Sequence, residues 1–240
     1  MVNIVIPSAG LGSRFSGITD VPKPFIEINN KTMIELSIDS IIGDSGIQTN
    51  QYICFQKSHK EYSNKIFHKK LNVDTLHIDY ITSGQAETVL LLLKNIDNNN
   101  PIIVANCDQI VSWDLSLFLH YCKLNNLDGC IPVFESDSPK WSYALIDDSG
   151  FILKTAEKKV ISKFATVGIY YWKNKKICED SILEMFLNKD ITNNETYLCP
   201  AYNYLIKNGG KVMPWYDIEM NGVGTPEDLD IFIKTTAKNK

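Results

Sequence analysis

The residue pattern predicts an α/β protein, a three-layer sandwich in which helices cover both faces of a mixed, mainly parallel sheet. Through the first half, apolar runs bounded by turn residues alternate with segments of helical period, the mark of strands joined by crossover helices. In the second half, strand-like runs follow one another with little helix between them, which adds an antiparallel or mixed extension to the same sheet. With 240 residues, 44% apolar and 22% charged, the chain can bury one large core, and a single domain over 1–240 is expected.

The first strands are expected at 2–7, 51–55, 73–80 and 101–106, and the first helices at 32–42, 58–69, 85–95 and 114–126. Thr32 and Glu35 have the spacing of a capping box, in which each side chain satisfies an orphan N–H of the other's residue. Asn98-Asn99-Asn100-Pro101 marks the turn into the strand that delivers Asn106-Cys107-Asp108-Gln109. Later strands are expected at 129–134, 141–147, 151–156 and 164–172, with a hairpin turn at Asp147-Asp148-Ser149-Gly150. Helices over 174–188 and 195–208 lead to Gly209-Gly210 and a short strand at 211–215. Thr225-Pro226-Glu227 opens the closing helix, Thr as N-cap and Pro at its first position.

A formal net charge of -4 gives no basic footprint, and Lys69-Lys70, Lys158-Lys159 and the lysines of 173–176 are short solvated clusters, so no nucleic-acid partner is expected. No apolar run approaches the ~20 residues of a membrane span, and the N-terminus lacks a signal-peptide pattern. No membrane partner and a cytoplasmic location are therefore expected, and the oligomeric state is not legible. Cys54, Cys107, Cys122, Cys130, Cys178 and Cys199 contain no C-x-x-C pair, so they are expected to be reduced, packed thiols.

Chemistry concentrates near the start. An apolar strand runs into Ser8-Ala9-Gly10-Leu11-Gly12-Ser13-Arg14, a glycine-bearing loop whose backbone N–H groups can converge on an anion. Pro22-Lys23-Pro24 follows, restricting the direction of a lysine stem. A dinucleotide-binding G-x-G-x-x-G would need a third glycine where Phe15 stands, and a P-loop would need a Gly-Lys-Ser/Thr triplet that is absent. A plain glycine turn explains Gly10 and Gly12 but neither Arg14 nor Lys23. A nucleoside triphosphate along the loop explains all four, with Arg14 forking onto phosphate oxygens and Lys23 neutralising the departing groups.

Together Gly10-Leu11-Gly12-Ser13-Arg14 and Pro22-Lys23-Pro24 resemble the G-x-G-(S/T)-R and P-K-P signature of nucleotidyltransferases, the sugar-1-phosphate nucleotidylyltransferases with a glycosyltransferase-A-like fold. The resemblance continues, more loosely, almost to the C-terminus. It implies that Ser8 to Arg14 and Gln85 bind the nucleotide, Gln85 reading a base edge, and that Asp108 holds Mg²⁺. It also implies that Tyr143, Glu157, Lys158 and Gly168 border the acceptor, Lys158 holding its phosphate and Gly168 letting a ligand approach the backbone. Tyr202 and Asn203 are further candidates for the acceptor pocket, helix packing being the alternative. The third residue of the usual E-K-P is Lys159 here. Trp215 to Asp228 is similar to the closing D-x-G-T-P-E segment, but the second metal carboxylate falls on Gly222, leaving Asp217, Glu219 or Asn221 as substitutes, with Asp217 favoured.

The implied activity is transfer of a nucleoside monophosphate from an NTP to a phosphorylated acceptor with release of pyrophosphate, through Arg14, Lys23 and Asp108. The form I-P-x-A-G-x-G-S-R-F and the N-x-D-Q turn resemble members from bacterial capsule and lipopolysaccharide assembly, which include sugar-phosphate enzymes and a cytidylyltransferase acting on phosphoglutamine. CTP is favoured on that resemblance. A glycosyltransferase of related fold and a non-catalytic nucleotide sensor stay open.

Overall fold

The structure is a computed structural model that describes residues 1–238. Its first half contains β1 (Val2–Ser8), β2 (Glu27–Ile28), β3 (Lys31–Thr32), α1 (Met33–Ile42), β4 (Thr49–Gln56), α2 (Lys60–Phe67), β5 (Val73–Ile78), α3 (Gln85–Leu93), β6 (Ile102–Ala105), β7 (Gln109–Ser112) and α4 (Leu115–Leu124). The second half adds β8 (Gly129–Glu135), β9 (Tyr143–Ile146), β10 (Ile152–Ala156), β11 (Phe164–Thr166), β12 (Ile169–Trp172), α5 (Lys175–Leu187), α6 (Ala201–Lys207), β13 (Val212–Trp215), β14 (Glu219–Gly222) and α7 (Pro226–Lys238).

Ten strands form one mixed sheet in the order β10-β9-β11-β8-β12-β6-β1-β4-β5, with β13 on β8. β5, β4, β1 and β6 run parallel, as crossover helices require, and β12, β8, β11, β9 and β10 continue the sheet antiparallel. Alternation along β1 sends Val2, Ile4 and Ile6 into one core layer and Val5 into the other. Residues of α1, α2 and α4 close the first layer, and residues of α3, α5 and α6 the second.

Local signals explain several boundaries. The capping box forms as expected: Glu35 N–H donates to Thr32 Oγ1, and Thr32 N–H donates to Glu35 Oε2 at 3.2 Å. At α7, Asp228 N–H donates to Thr225 Oγ1 at 3.1 Å. The run 164–172 is two strands rather than one, because Gly168 at φ +88° breaks it. The helix expected from 195 starts only at Ala201. Residues 192–195 form instead a tight turn, with Asn193 and Asn194 both left-handed (φ 50° and 61°). Two small ribbons, β2 with β3 and β7 with β14, were not expected from the residue pattern.

β7 and β14 determine how the ends of the chain meet. Gly222 pairs with Gln109, and Val223 N–H donates to the Asp108 carbonyl at 2.9 Å. Val223 also packs with Phe15, Ile28 and Met33, and Leu229 and Phe232 of α7 lie against that cluster. Phe15, which replaces the third glycine of a dinucleotide loop, is therefore an anchor beneath the N-terminal loop. Among the described residues no helix is long and apolar enough to cross a membrane.

Candidate active site

β1, flanked by β4 and β6, ends at Ser8 and releases the glycine loop at the C-terminal edge of the parallel strands, where α/β sheets present ligand sites. Gln56 Nε2 holds the loop from below by donating to the Ala9 carbonyl at 2.5 Å. A Cβ at Gly12 would stand 2.9 Å from Lys23 Cβ, so the absent side chain lets loop and lysine touch. Leu11, Ser13 and Arg14 are exposed, and Arg14 makes no ion pair with a carboxylate among the described residues.

Lys23 begins a single 3₁₀ turn whose direction the flanking prolines restrict. Its Nζ donates to Asp108 Oδ2 at 2.5 Å, and only 16% and 17% of the two side chains is exposed. Burial alone would lower the Lys23 pKa. The Asp108 carboxylate beside it, with Cys107, outweighs burial and raises it, so Lys23 carries its charge throughout the physiological range. Asp108 lies in the turn between β6 and β7, and a Cβ at Gly224 would come within 2.5 Å of its Oδ2, so the closing segment folds directly over the carboxylate.

A second cluster adjoins this one. Glu157 accepts a hydrogen bond from Ser142 Oγ, and burial raises its pKa above the usual carboxylate range, with Ser142 and Lys158 opposing and Glu195 assisting. Lys158 sits at φ +49°, a left-handed backbone that costs a lysine about 1 kcal/mol or more, and its Nζ is hydrogen bonded to the Tyr197 hydroxyl. The Arg14 charge acts on Lys23 and also on Tyr197, so the loop faces both clusters.

Several expected site residues are placed elsewhere. Tyr202 is a core residue: it is fully buried, its ring stacks on Trp172 with centroids 4.5 Å apart, and its hydroxyl donates to the Tyr171 carbonyl. Tyr143 is also fully buried, its hydroxyl donating to the Ser138 carbonyl at 2.8 Å. Gly168 does not open the backbone to a ligand, because the amides of Asn106 and Gln109 cover it; a Cβ there would lie 2.5–2.7 Å from them. Asn203 braces β10, accepting from Thr155 N–H at 2.7 Å and donating to its carbonyl at 3.0 Å. Gln85 Nε2 donates to Asn106 Oδ1 at 2.5 Å, which leaves its carbonyl oxygen for other partners.

Asp217 is not placed to share a metal with Asp108. In the β14 register Glu219 lies opposite Ser112 and Gly222 opposite Gln109, so Glu219 stands about 10 Å along the strand from the Asp108 end, and Asp217 lies beyond it. Among the described residues no three His, Cys, Asp or Glu side chains gather into a metal cage. A Mg²⁺ that takes its other ligands from phosphates and water needs only one or two carboxylates, and Asp108 is the carboxylate that the structure sets beside Lys23 at the foot of the loop. All six cysteines are free thiols, and burial raises the pKa of Cys107 beside Asp108. Tyr197, Glu195 and Ser142 were not picked out from the residue pattern. The signal for the first two was Asn193-Asn194, a turn dipeptide that the expected helix start at 195 obscured.

The nucleotidyl transferase family profile matches residues 3–229, nearly the whole chain. The chain belongs to the nucleotidyl transferase family. This family member is 32% identical, over 92 residues, to the 2-C-methyl-D-erythritol 4-phosphate cytidylyltransferase of Idiomarina loihiensis; the match covers 38% of the chain and spans about a third (34%) of that relative. Its fold is that of the nucleoside-diphosphate-sugar pyrophosphorylase of Vibrio cholerae RC9, with a TM-score of 0.83 at 24% identity over 96% of this chain and 99% of the other. The inositol-1-phosphate CTP transferase of T. maritima is also similar, with a TM-score of 0.76 at 16% identity over 99% and 95%. Both structures share its mixed central sheet and two helical layers.

Proposed function

We propose that this nucleotidyl transferase moves a nucleoside monophosphate from an NTP, CTP by preference, onto a phosphorylated acceptor and releases pyrophosphate. The observation that carries the reading is the Lys23–Asp108 pair beneath the glycine loop, with Arg14, which has no carboxylate partner among the described residues, above it; together they gather two cations and one carboxylate where a triphosphate would lie. An acceptor phosphate oxygen attacks the α-phosphorus; the new P–O bond forms as the bond to the β-phosphate oxygen breaks, and pyrophosphate leaves with the electron pair. Backbone N–H groups of 9–13, Arg14 and Lys23 stabilise charge on the leaving group, and Lys158 holds the acceptor phosphate. Mg²⁺, held by Asp108, would supply further neutralisation of phosphate charge when bound. No general base is required, because a phosphate monoester is already largely ionised at pH 7.

The CTP preference rests on two similar proteins, one named a cytidylyltransferase and one a CTP transferase. A sugar phosphate or an amino-acid phosphate such as phosphoglutamine suits the mixed charge around Glu157 and Lys158, and assembly of bacterial surface polysaccharide precursors in the cytoplasm is the setting that fits such a product. A pyrophosphate-release screen of CTP, UTP, ATP and GTP against sugar 1-phosphates and amino-acid phosphates in Mg²⁺ tests the reading. Release that is fastest with CTP is expected. No release from any pair, or turnover of a nucleotide sugar without pyrophosphate, would overturn it.

A further inference from the structure

The segment from Thr192 to Cys199 is fixed to the body of the protein at both ends. Thr192 and Glu195 exchange backbone hydrogen bonds of 3.1 and 2.9 Å around the left-handed Asn193-Asn194 turn. Thr196 then binds the start of α3 twice: its N–H donates to the Ser83 carbonyl at 2.8 Å, and Ala86 N–H donates to its carbonyl at 2.9 Å. A Cβ at Gly84 would lie 2.6 Å from the backbone of Thr196, so the clip seats directly on the glycine. Beyond Tyr197, Thr155 Oγ1 donates to the Cys199 carbonyl at 2.8 Å, fixing the far side to β10, the strand that leads into Glu157 and Lys158.

Tyr197 lies between these two attachments, half-buried. Its hydroxyl oxygen accepts a hydrogen bond from the Lys158 ammonium, which lies off the hydroxyl end of the ring, 4.3 Å from the centroid. Lys158 has no carboxylate partner among the described residues, and the phenol oxygen accepts its hydrogen bond. Lys158 lies in the bend just past β10, and its backbone there is left-handed.

We infer that Tyr197, presented by the Thr192–Thr196 clip, is a positioning residue that holds the Lys158 ammonium ready for the acceptor's phosphate. The inference rests on the proposed reaction for the role of that anion. An uncharged partner suits the task, since a phenol orients an ammonium without cancelling its charge, whereas a carboxylate would compete with the phosphate. The hydrogen bond to the hydroxyl holds a side chain that otherwise has four rotatable bonds, so ordering it costs the incoming acceptor less.

Side-chain ammonium NMR on the whole protein, with inorganic phosphate as the probe for the acceptor anion and Mg²⁺-CTP present to fill the loop, tests this. The Lys158 signal, assigned by its loss in Lys158→Arg, is expected to be sharp in the wild type and to move on phosphate addition. Tyr197→Phe, which keeps the ring, should broaden it and weaken phosphate about tenfold, and Tyr197→Ala should weaken it further. Calorimetric affinity for Mg²⁺-CTP should be the same in all three proteins. An unchanged Lys158 signal and phosphate affinity in both Tyr197 variants would overturn the inference, as would a wild-type Lys158 signal that phosphate does not move. Failure of every NTP to bind would instead remove the proposed reaction, and the behaviour of the Lys158 signal would still decide the pairing.

Discussion

Lys23 and Asp108, separated by 85 positions in the chain, meet at 2.5 Å with little exposure of either side chain. Each gives the other a counter-charge, so the foot of the loop is preorganised without substrate, and each side chain can turn from its partner to a phosphate or a phosphate-borne cation. Lys23→Ala is expected to lower turnover by about two to three orders of magnitude, the usual cost of losing one charge-stabilising donor, while the circular dichroism spectrum stays native. Near-normal steady-state turnover would remove Lys23 from the mechanism.

Asp108→Asn keeps the volume and loses the charge. Activity should fall at least a hundredfold and its dependence on Mg²⁺ should shift to higher concentration. A Mg²⁺ titration curve superimposable on that of the wild type would contradict the assignment of Asp108 to the metal.

Gly84 has φ +146°, and a Cβ on it would press on the Thr196 backbone. Gly84→Ala is therefore expected to cost about 1–3 kcal/mol in chemical denaturation and to raise the KM for the acceptor more than that for the NTP. A variant with wild-type stability would show that the clip yields without cost.

Glu157 has a raised pKa in the folded protein, so between its unfolded value near 4.5 and that raised value the native state binds more protons than the unfolded state. Stability contributed by this group is then present at low pH and lost as pH rises through the window. Relative to wild type, Glu157→Gln should gain stability between pH 4 and pH 7 in urea titrations. A stability difference that does not change with pH would refute the shift.

His59 and His77 are displaced the other way, by burial first; each has a further positive neighbour, His77 for His59 and Lys60 for His77. Their folded pKa values lie below the ordinary 6.5 of a histidine, so the unfolded chain takes up protons first and stability falls as pH drops through 6.5. Ser63 Oγ contacts His77 Nε2 at 2.8 Å, and the His59 ring lies edge-on to Phe25, two residues from Lys23. His59→Gln/His77→Gln should lose less stability than the wild type between pH 7.5 and pH 5.5. Equal losses in parallel urea titrations would rule these histidines out as the cause.

Much of this arrangement was legible in the residues because it rests on local rules. Thr32 and Glu35 announced a capping box and Thr225-Pro226 a helix start, each through spacing alone, and the glycine loop and Lys23, read as parts of one site, do meet at Gly12. What was missed depends on contacts distant in sequence. Tyr202 and Tyr143 have the same hydroxyl as Tyr197, and only packing against Trp172 or beneath the Ser138 carbonyl sends the first two inward. The β7–β14 pairing joins four-residue strands with no strong alternation, so nothing local placed Asp217 at the far end of the ribbon.

The union of Val223 with the Asp108 carbonyl has a consequence for biosynthesis. The turn bearing the carboxylate is latched by residues that follow it by more than a hundred positions, so a nascent chain cannot hold that turn in its final form until residue 223 has emerged from the ribosome. A chain cut before residue 219 would lack the latch and leave the aspartate turn unsupported.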